Sequence, residues 1–191
     1  MEIYYQNRPL ISNLFRNRIK TAIELSSIND DSVILDIGCD AGYLLKTIRE
    51  LNYSCKCYGI DKDQSVLQPI ENCVIQHANA KKLPFPNEYF DLVFVLDVLE
   101  HIREYGIAVK EIKRILKPNG YAILSGPTES WFYKFCRFLW LQVISYPQSH
   151  LHTVYDIEKG FELNGFKLMA RKSLPSFSLP ALFRISKFKK L

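Results

Sequence analysis

Two glycines and three aspartates near the start of the chain could together form a small-molecule site. The run VILDIGCDAGYLL (33–45) continues from Asp36 through Gly38, Asp40 and Gly42. Glycines at a strand-to-helix turn let the backbone adopt positive φ and approach a ligand closely. Asp61 follows about 20 residues later, where a carboxylate can accept hydrogen bonds from both ribose hydroxyls. The spacing therefore predicts a site for an adenosine-containing cofactor.

Asp40, between the two glycines, restricts the class of adenosine-containing cofactor that the turn could bind. A dinucleotide site has the pattern G-x-G-x-x-G, and a carboxylate beside its pyrophosphate would cost about 1 kcal/mol or more, depending on burial. A cofactor with a cationic amino group or sulfonium meets no such repulsion. Aspartate also tolerates left-handed backbone better than most residues. Asp40 thus disfavours a dinucleotide and is compatible with S-adenosylmethionine.

Strands and helices alternate along the part of the chain that must position these residues. Apolar runs predict strands at 33–37, 55–60, 73–76, 90–96 and 121–126. Helical spacing predicts helices at 10–25, 42–51 and 104–116, and a short helix at best at 65–70. This order is typical of an α/β fold: a Rossmann-like, doubly wound, mostly parallel seven-stranded sheet with helices on both faces. In such sheets, ligands bind at the carboxyl ends of the strands.

The last third of the chain departs from this alternation. The aromatic run 131–146 lies in an insertion at 127–152, where it could line an apolar substrate pocket, lie in a membrane interface or pack as a lid helix. Thr153 and Asp156 predict a capped helix that ends at Asn164-Gly165. The runs 166–174 and 182–188 could complete the sheet, although 182–188 also fits a frayed basic helix. We expect a single domain over 1–191, with an N-terminal helix in 1–30 and a basic C-terminal segment at 172–191.

The charge of the chain is unevenly placed. The net charge is +5, yet the last residues, from 163 to 191, contain no acid and seven bases: Lys167, Arg171, Lys172, Arg184, Lys187, Lys189 and Lys190. Such a segment is typical of contact with an anionic surface, such as lipid headgroups or nucleic acid, and equally of a solvated tail.

The number and spacing of the cysteines, together with the hydropathy of the chain, indicate the cellular compartment in which we expect the protein. Five cysteines without a C-x-x-C pair are typical of reduced thiols in a cytosolic protein, with neither a zinc site nor a disulfide framework. The N-terminal residues have no signal-peptide pattern, and no run reaches the ~18 apolar residues needed to span a bilayer. We therefore expect a cytoplasmic protein without a metal, with peripheral membrane contact as an open alternative.

Motifs in four places resemble, in order, those of the class I S-adenosylmethionine-dependent methyltransferases, especially the small-molecule branch that includes quinone-biosynthesis enzymes. They are LDIGCDAG, GIDKD, ANAKKLPFPNEYFDLVFVLDVLEHI and EIKRILKPNGYAILSGP. The family commonly has glycine at Asp40 and aspartate at Asn79, so the chain departs from the pattern at these two positions. The resemblance implies S-adenosylmethionine as the cofactor, and these residues as its site: Asp36, Gly38, Cys39, Asp40, Gly42, Asp61, Lys62, Asn79, Ala80, Asp97 and Val98.

Methyl transfer from a sulfonium needs alignment and exclusion of water, and a base only when the nucleophile is a hydroxyl or an ammonium. His101, just after the fourth strand, is the candidate base, with Glu100 able to orient it, although both could simply cap or pack the turn. His152, close to His150, is the candidate substrate residue. The predicted function is methyl transfer to a small or lipidic acceptor at oxygen. A non-catalytic S-adenosylmethionine-binding module is the alternative, and no nucleic-acid module is apparent.

Overall fold

The protein folds around one sheet with helices on both faces. It is described by a computed structural model that covers residues 9–141, 150–175 and 180–191. Its strands are β1 (Val33–Ile37), β2 (Lys56–Asp61), β3 (Cys73–His77), β4 (Phe90–Leu96), β5 (Leu116–Pro127), β6 (Phe166–Leu174) and β7 (Phe183–Lys190). Its α-helices are α1 (Pro9–Ser26), α2 (Tyr43–Glu50), α3 (Tyr105–Ile115), α4 (Trp131–Leu141) and α5 (Val154–Leu163).

The strand order is β3-β2-β1-β4-β5-β7-β6. All pairs from β3 to β5 are parallel, while β7 is antiparallel to both β5 and β6. This confirms the predicted seven-stranded, mostly parallel sheet. Because β1 pairs with β2 on one side and with β4 on the other, the strand order reverses at β1. The carboxyl ends of β1 and β4 therefore form the crevice where such sheets bind ligands.

An apolar core lies on each face of the sheet. One core joins the sheet to α3 and α5 through buried residues such as Ile112 and Phe161. The other joins it to α1 and α2 through residues such as Ala22 and Leu45. Each helix has one apolar side, which would contact water if the helix did not pack on the sheet. Burial of these apolar sides therefore explains why helices cover both faces.

The two largest differences from the sequence-based prediction concern β5 and the segment after β2. Strand β5 begins at Leu116 rather than at 121, because residues 117–120 form an irregular part of the strand instead of a separate turn. Asn119 has a φ of 63°, and the pairing register shifts between Phe90 and Leu92. The predicted short helix at 65–70 is only a 3₁₀ turn at Gln64–Val66.

The C-terminal helix and strands decide one alternative that the sequence left open, namely whether 182–188 is a strand or a helix. Thr153 and Asp156 form the predicted capping box of α5. Both remaining runs are strands, so the frayed-helix alternative for 182–188 was wrong. Residues 142–146 of the aromatic run lie outside the described residues. Across the described ranges, no helix combines the length and apolar character that crossing a membrane requires.

Candidate functional site

The turn after β1 is built from left-handed backbone. Gly38, Asp40 and Gly42 have φ values of 76°, 47° and 77°. The Gly38 N–H donates to the Ile60 carbonyl at 2.8 Å, which ties the turn to the end of β2. A Cβ atom on Gly38 would overlap the side chain of Val98, so the turn needs glycine there. The turn after β1 therefore lacks side chains at the two glycine positions where the sequence predicted close approach of a ligand.

Three carboxyl groups surround this turn. The Asp61 carboxylate accepts hydrogen bonds from the N–H groups of Asp40, at 3.1 Å, and Asp63, at 2.9 Å. Asp36 is buried beneath them. Burial, and then the charges of Asp61 and Asp40, raise the pKa of Asp36 to about 8. The carboxylates of Asp40 and Asp61 favour a cationic ligand and disfavour a phosphate.

The residues predicted for the adenine end lie beside Asp61. The Ala78 N–H donates to the Asp61 carbonyl at 3.0 Å, which brings the 78–80 loop to the end of β2. The Asn79 side-chain oxygen accepts from the Lys81 N–H at 2.9 Å, and Ala80 is buried. Lys62 is exposed, and its carbonyl accepts a hydrogen bond from His77. The two ends of the predicted site therefore form one continuous edge.

Cys39 lies in the same turn but is an unreactive thiol. Its side chain is buried, and burial, followed by the charge of Asp36, raises its pKa. A nucleophilic cysteine needs the opposite shift. The Cys39 side chain packs within the turn, and its contact with the cofactor stays a prediction.

Asp97, the first residue after β4, has a partner that the sequence analysis missed. It has a φ of 56°, accepts a hydrogen bond from the Ser125 hydroxyl at 2.8 Å, and forms an ion pair with Arg18 of α1. The Arg18 guanidinium lies 4.3 Å from the ring centroid of Phe15 and 4.8 Å from that of Phe183. The sequence did contain an indication of this pair, because Arg18 lies among apolar residues on one face of the predicted helix 10–25.

A polar cluster lies just beyond Asp97. One carboxylate oxygen of Glu100 and one imidazole nitrogen each of His101 and His150, all atoms able to bind a metal, lie within 4.8 Å of one another. The Leu151 N–H donates to the Glu100 carbonyl at 2.8 Å, which holds the loop before α5 against the end of β4. The ring centroids of the two histidines are 5.1 Å apart.

Glu129, which follows β5, adds a second carboxyl group to the cluster. Its Oε1 contacts His150 Nδ1 at 2.6 Å, and no sequence pattern indicated this contact. Glu100 is 1% exposed, and its Oε2 has no hydrogen-bond partner among the described residues. Burial, and then the charge of Asp97, raise the pKa of Glu100 well above its ordinary value.

His152 lies apart from this cluster. Its Nε2 donates to the Arg103 carbonyl at 3.1 Å, and its ring centroid is 4.6 Å from that of Tyr105. Of the two histidines in SHLHT, His150 is therefore the one that the fold brings to His101. A role for His152 toward substrate stays a prediction.

The residues at the turn fit S-adenosylmethionine. Gly42 has a φ of 77°, which side chains rarely adopt, and a Cβ at Gly38 would overlap Val98, so both positions favour glycine. The acidic groups around it match the cationic sulfonium and amino group of that cofactor.

Comparison with known proteins agrees with this geometry. Residues 35–124 match the model of a methyltransferase domain. A ubiquinone biosynthesis O-methyltransferase of Bradyrhizobium diazoefficiens is 30% identical over 109 residues, which are 51% of this chain and 41% of that protein. An uncharacterized protein of Methanocaldococcus jannaschii is 31% identical over 157 residues, 82% of this chain and 63% of that protein. The chain thus spans less than two thirds of the length of these relatives.

A solved structure covers the whole fold. The PH0226 protein of Pyrococcus horikoshii superposes with a TM-score of 0.75 over 100% of both chains, at 18% sequence identity. Together with the motifs and the acidic glycine turn, these likenesses identify residues 35–124 as a methyltransferase domain of the class I type, and S-adenosylmethionine is the cofactor that the turn fits.

Proposed function

We propose that the chain transfers a methyl group from S-adenosylmethionine to a hydroxyl oxygen of a small acceptor. The observation that carries this proposal is the acidic, glycine-lined turn at the strand-order reversal, with a polar cluster directly beyond it. The turn has the shape and charge for the donor. The cluster at His101 offers a place for the acceptor and its proton.

Each part of the cofactor has residues suited to it. The backbone of 38–42, with Asp36 and Asp40 nearby, would hold the cationic methionine part. Asp61 would accept hydrogen bonds from the ribose hydroxyls, and the 79–80 loop would contact the adenine. Asp97 and Val98 would lie beside the sulfonium.

When bound, S-adenosylmethionine supplies a methyl carbon that a nucleophile takes in line as the carbon–sulfur bond breaks, and sulfur keeps the electron pair. His101 would accept the proton of the acceptor hydroxyl as its oxygen forms the new bond to carbon. Glu129 would hold the neighbouring His150 in a fixed orientation through the 2.6 Å contact. Water would have to be excluded from the cluster during transfer, because it would otherwise compete as nucleophile.

The choice of oxygen has support from a relative. The Bradyrhizobium protein is named as an O-methyltransferase of ubiquinone biosynthesis. A titratable histidine beside the expected acceptor position is useful for a hydroxyl nucleophile, which must lose a proton.

Isothermal titration with S-adenosylmethionine tests the cofactor site. Asp61→Ala removes the acceptor for the ribose hydroxyls, and each lost charge-assisted hydrogen bond costs about 1.5–3 kcal/mol. We expect binding at least about tenfold weaker than in the unchanged protein. Asp63→Ala is the matched control, because this exposed carboxylate only caps the following 3₁₀ turn. Equal affinity for the unchanged protein and Asp61→Ala would overturn the assignment.

The proposed methyl transfer is tested by measuring enzymatic turnover. Release of S-adenosylhomocysteine is measured with panels of phenols, alcohols, amines and thiols, and we expect it with hydroxyl acceptors only. His101→Gln should abolish that release while leaving cofactor affinity unchanged. Cofactor binding without turnover on any acceptor would favour the non-catalytic binding module instead.

We also propose that the acceptor is reached at an anionic membrane surface. In α4, Trp131, Phe135 and Phe138 are 71%, 53% and 60% exposed, and their spacing places them on one side of the helix. Helix α4 contains no acidic residue, and its Lys134 is exposed. Aromatic side chains with a neighbouring base suit the headgroup region of an anionic bilayer.

A further inference from the structure

The cluster of Glu100, His101 and His150 contains more ligand groups than a proton acceptor requires. We infer that these three side chains form a divalent-cation site, with zinc as the cation that best matches two imidazoles and one carboxylate. The sequence pattern did not indicate it, because His150 comes from a loop about fifty residues away and its approach depends on the fold.

The spacing of the ligand atoms is close to that of a metal site. Zinc binds imidazole nitrogen and carboxylate oxygen at about 2.0–2.2 Å, so tetrahedral ligand atoms stand about 3.3–3.6 Å apart. The three ligand atoms here lie within 4.8 Å of one another. Side-chain rotations that bring the three atoms closer together would complete the geometry.

Glu100 provides a second, independent observation. It is buried, and within the described part of the chain its Oε2 has no hydrogen-bond partner. A buried polar atom without a partner destabilises the fold, because it has lost its hydrogen bonds to water. A bound cation would satisfy that oxygen and would offset the cost.

Glu129 supplies the support that metal-binding histidines commonly have. Ligating imidazoles usually donate their second N–H to a carboxylate, which fixes the tautomer and the ring orientation. The 2.6 Å contact between Glu129 Oε1 and His150 Nδ1 is that arrangement, and in this proposal His150 Nε2 is the nitrogen that binds the metal. The hydrogen bond from Leu151 to the Glu100 carbonyl anchors the same loop.

Three protein ligands leave a fourth position open, as in catalytic zinc sites. The role of that position rests on the proposed function. An acceptor hydroxyl that binds there has a lowered pKa and releases its proton to solvent. Its oxygen then forms the bond to the methyl carbon while the carbon–sulfur bond breaks toward sulfur. In the metal-loaded state, His101 is a ligand rather than the proton acceptor.

Metal binding is tested with zinc alone, on the full chain stripped with a chelator. Titration calorimetry and elemental analysis after dialysis should give one zinc per chain. We expect Glu100→Gln and His150→Asn each to weaken binding by at least tenfold, and Glu129→Gln by about tenfold. His152→Asn is the matched control, since its imidazole belongs to the same loop but contacts Arg103 and Tyr105.

Cobalt(II) absorption identifies the ligands. Visible bands without a thiolate charge-transfer band are expected, and Cys55→Ser/Cys57→Ser should leave them unchanged. Far-ultraviolet circular dichroism confirms that each variant is folded. The inference fails if the unchanged protein retains no zinc, if zinc binding survives Glu100→Gln and His150→Asn together, or if thiolate bands appear. Cofactor titration of the same variants separates this result from the proposed function, because zinc binding needs no S-adenosylmethionine.

Discussion

At the scale of single residues, the most unusual group in the site is the carboxyl of Asp36. Burial raises its pKa from 3.8 to about 8, and the charges of Asp61 and Asp40 add to the effect. The folded state therefore holds the proton more tightly than the unfolded state. Its contribution to stability is complete below pH 4 and is lost as the pH rises through about 8.

We therefore expect the melting temperature of the cofactor-free protein to fall between pH 5 and pH 8.5 more steeply than that of Asp36→Asn, whose amide stays neutral throughout. Thermal unfolding across this range measures it. Asp31→Asn, at an exposed position, is the control and should follow the unchanged protein. Parallel curves for the unchanged protein and Asp36→Asn would show that the buried carboxyl is not protonated near neutral pH.

Residues that act through local backbone could be predicted, whereas residues that act across the fold could not. Gly38, Asp40 and Gly42 have the positive φ values that their types and positions indicated. Arg18 and Glu129 contribute through Asp97 and His150, whose sequence positions are far from theirs. No local pattern encodes such pairs, because they exist only once helices and loops have packed on the sheet.

At the scale of elements, the β6–β7 hairpin is attached to α5 through one buried carboxylate. Glu158 pairs with Arg171 at 2.8 Å and Arg184 at 3.2 Å, and it also accepts a hydrogen bond from the Ser186 hydroxyl. A buried carboxylate is stable only when its partners surround it in this way. Glu158 therefore connects α5 to both strands that extend the sheet beyond β5.

Glu158→Ala should lower the free energy of unfolding by about 3 kcal/mol, because it leaves the partly buried Arg184 without its partner. Urea denaturation followed by circular dichroism measures the change. Glu162→Ala lies on the exposed side of the same helix and should stay within about 0.5 kcal/mol of the unchanged protein. A Glu158→Ala midpoint equal to that of Glu162→Ala would contradict the anchoring role.

The elements themselves were largely predictable, since buried parallel strands are continuous apolar runs. Strand β7 was ambiguous because its bases interrupt that pattern. The fold accommodates them through distant partners: Lys187 reaches the Ser26 carbonyl, and Lys190 the Leu116 carbonyl at 2.6 Å. Strand β5 was predicted too short, because the bulge at Asn119 depends on pairing with β4.

At the scale of the whole molecule, four of the seven bases between residues 163 and 191 pair with acidic residues elsewhere in the fold. Among the described residues, Arg171 and Arg184 pair with Glu158, Lys172 with Glu24, and Lys190 with Glu88. These contacts leave less free charge for an anionic surface than the sequence count indicates. The exposed apolar side chains of α4 are therefore the better candidate for membrane contact.

We expect the protein to co-sediment with vesicles that contain anionic phospholipid, and less with purely zwitterionic vesicles. The triple variant Trp131→Ser/Phe135→Ser/Phe138→Ser should lower the partition coefficient at least tenfold, because each large apolar side chain buried from water contributes about 1.5–3 kcal/mol. Lys134→Gln should reduce binding by a smaller factor that disappears at high salt, since headgroup attraction is screened there. Leu163→Ser is the matched control: Leu163 is 77% exposed but belongs to α5, outside the α4 face. Equal sedimentation of the triple variant and the control, or none for the unchanged protein, would mean that the acceptor reaches His101 from solution.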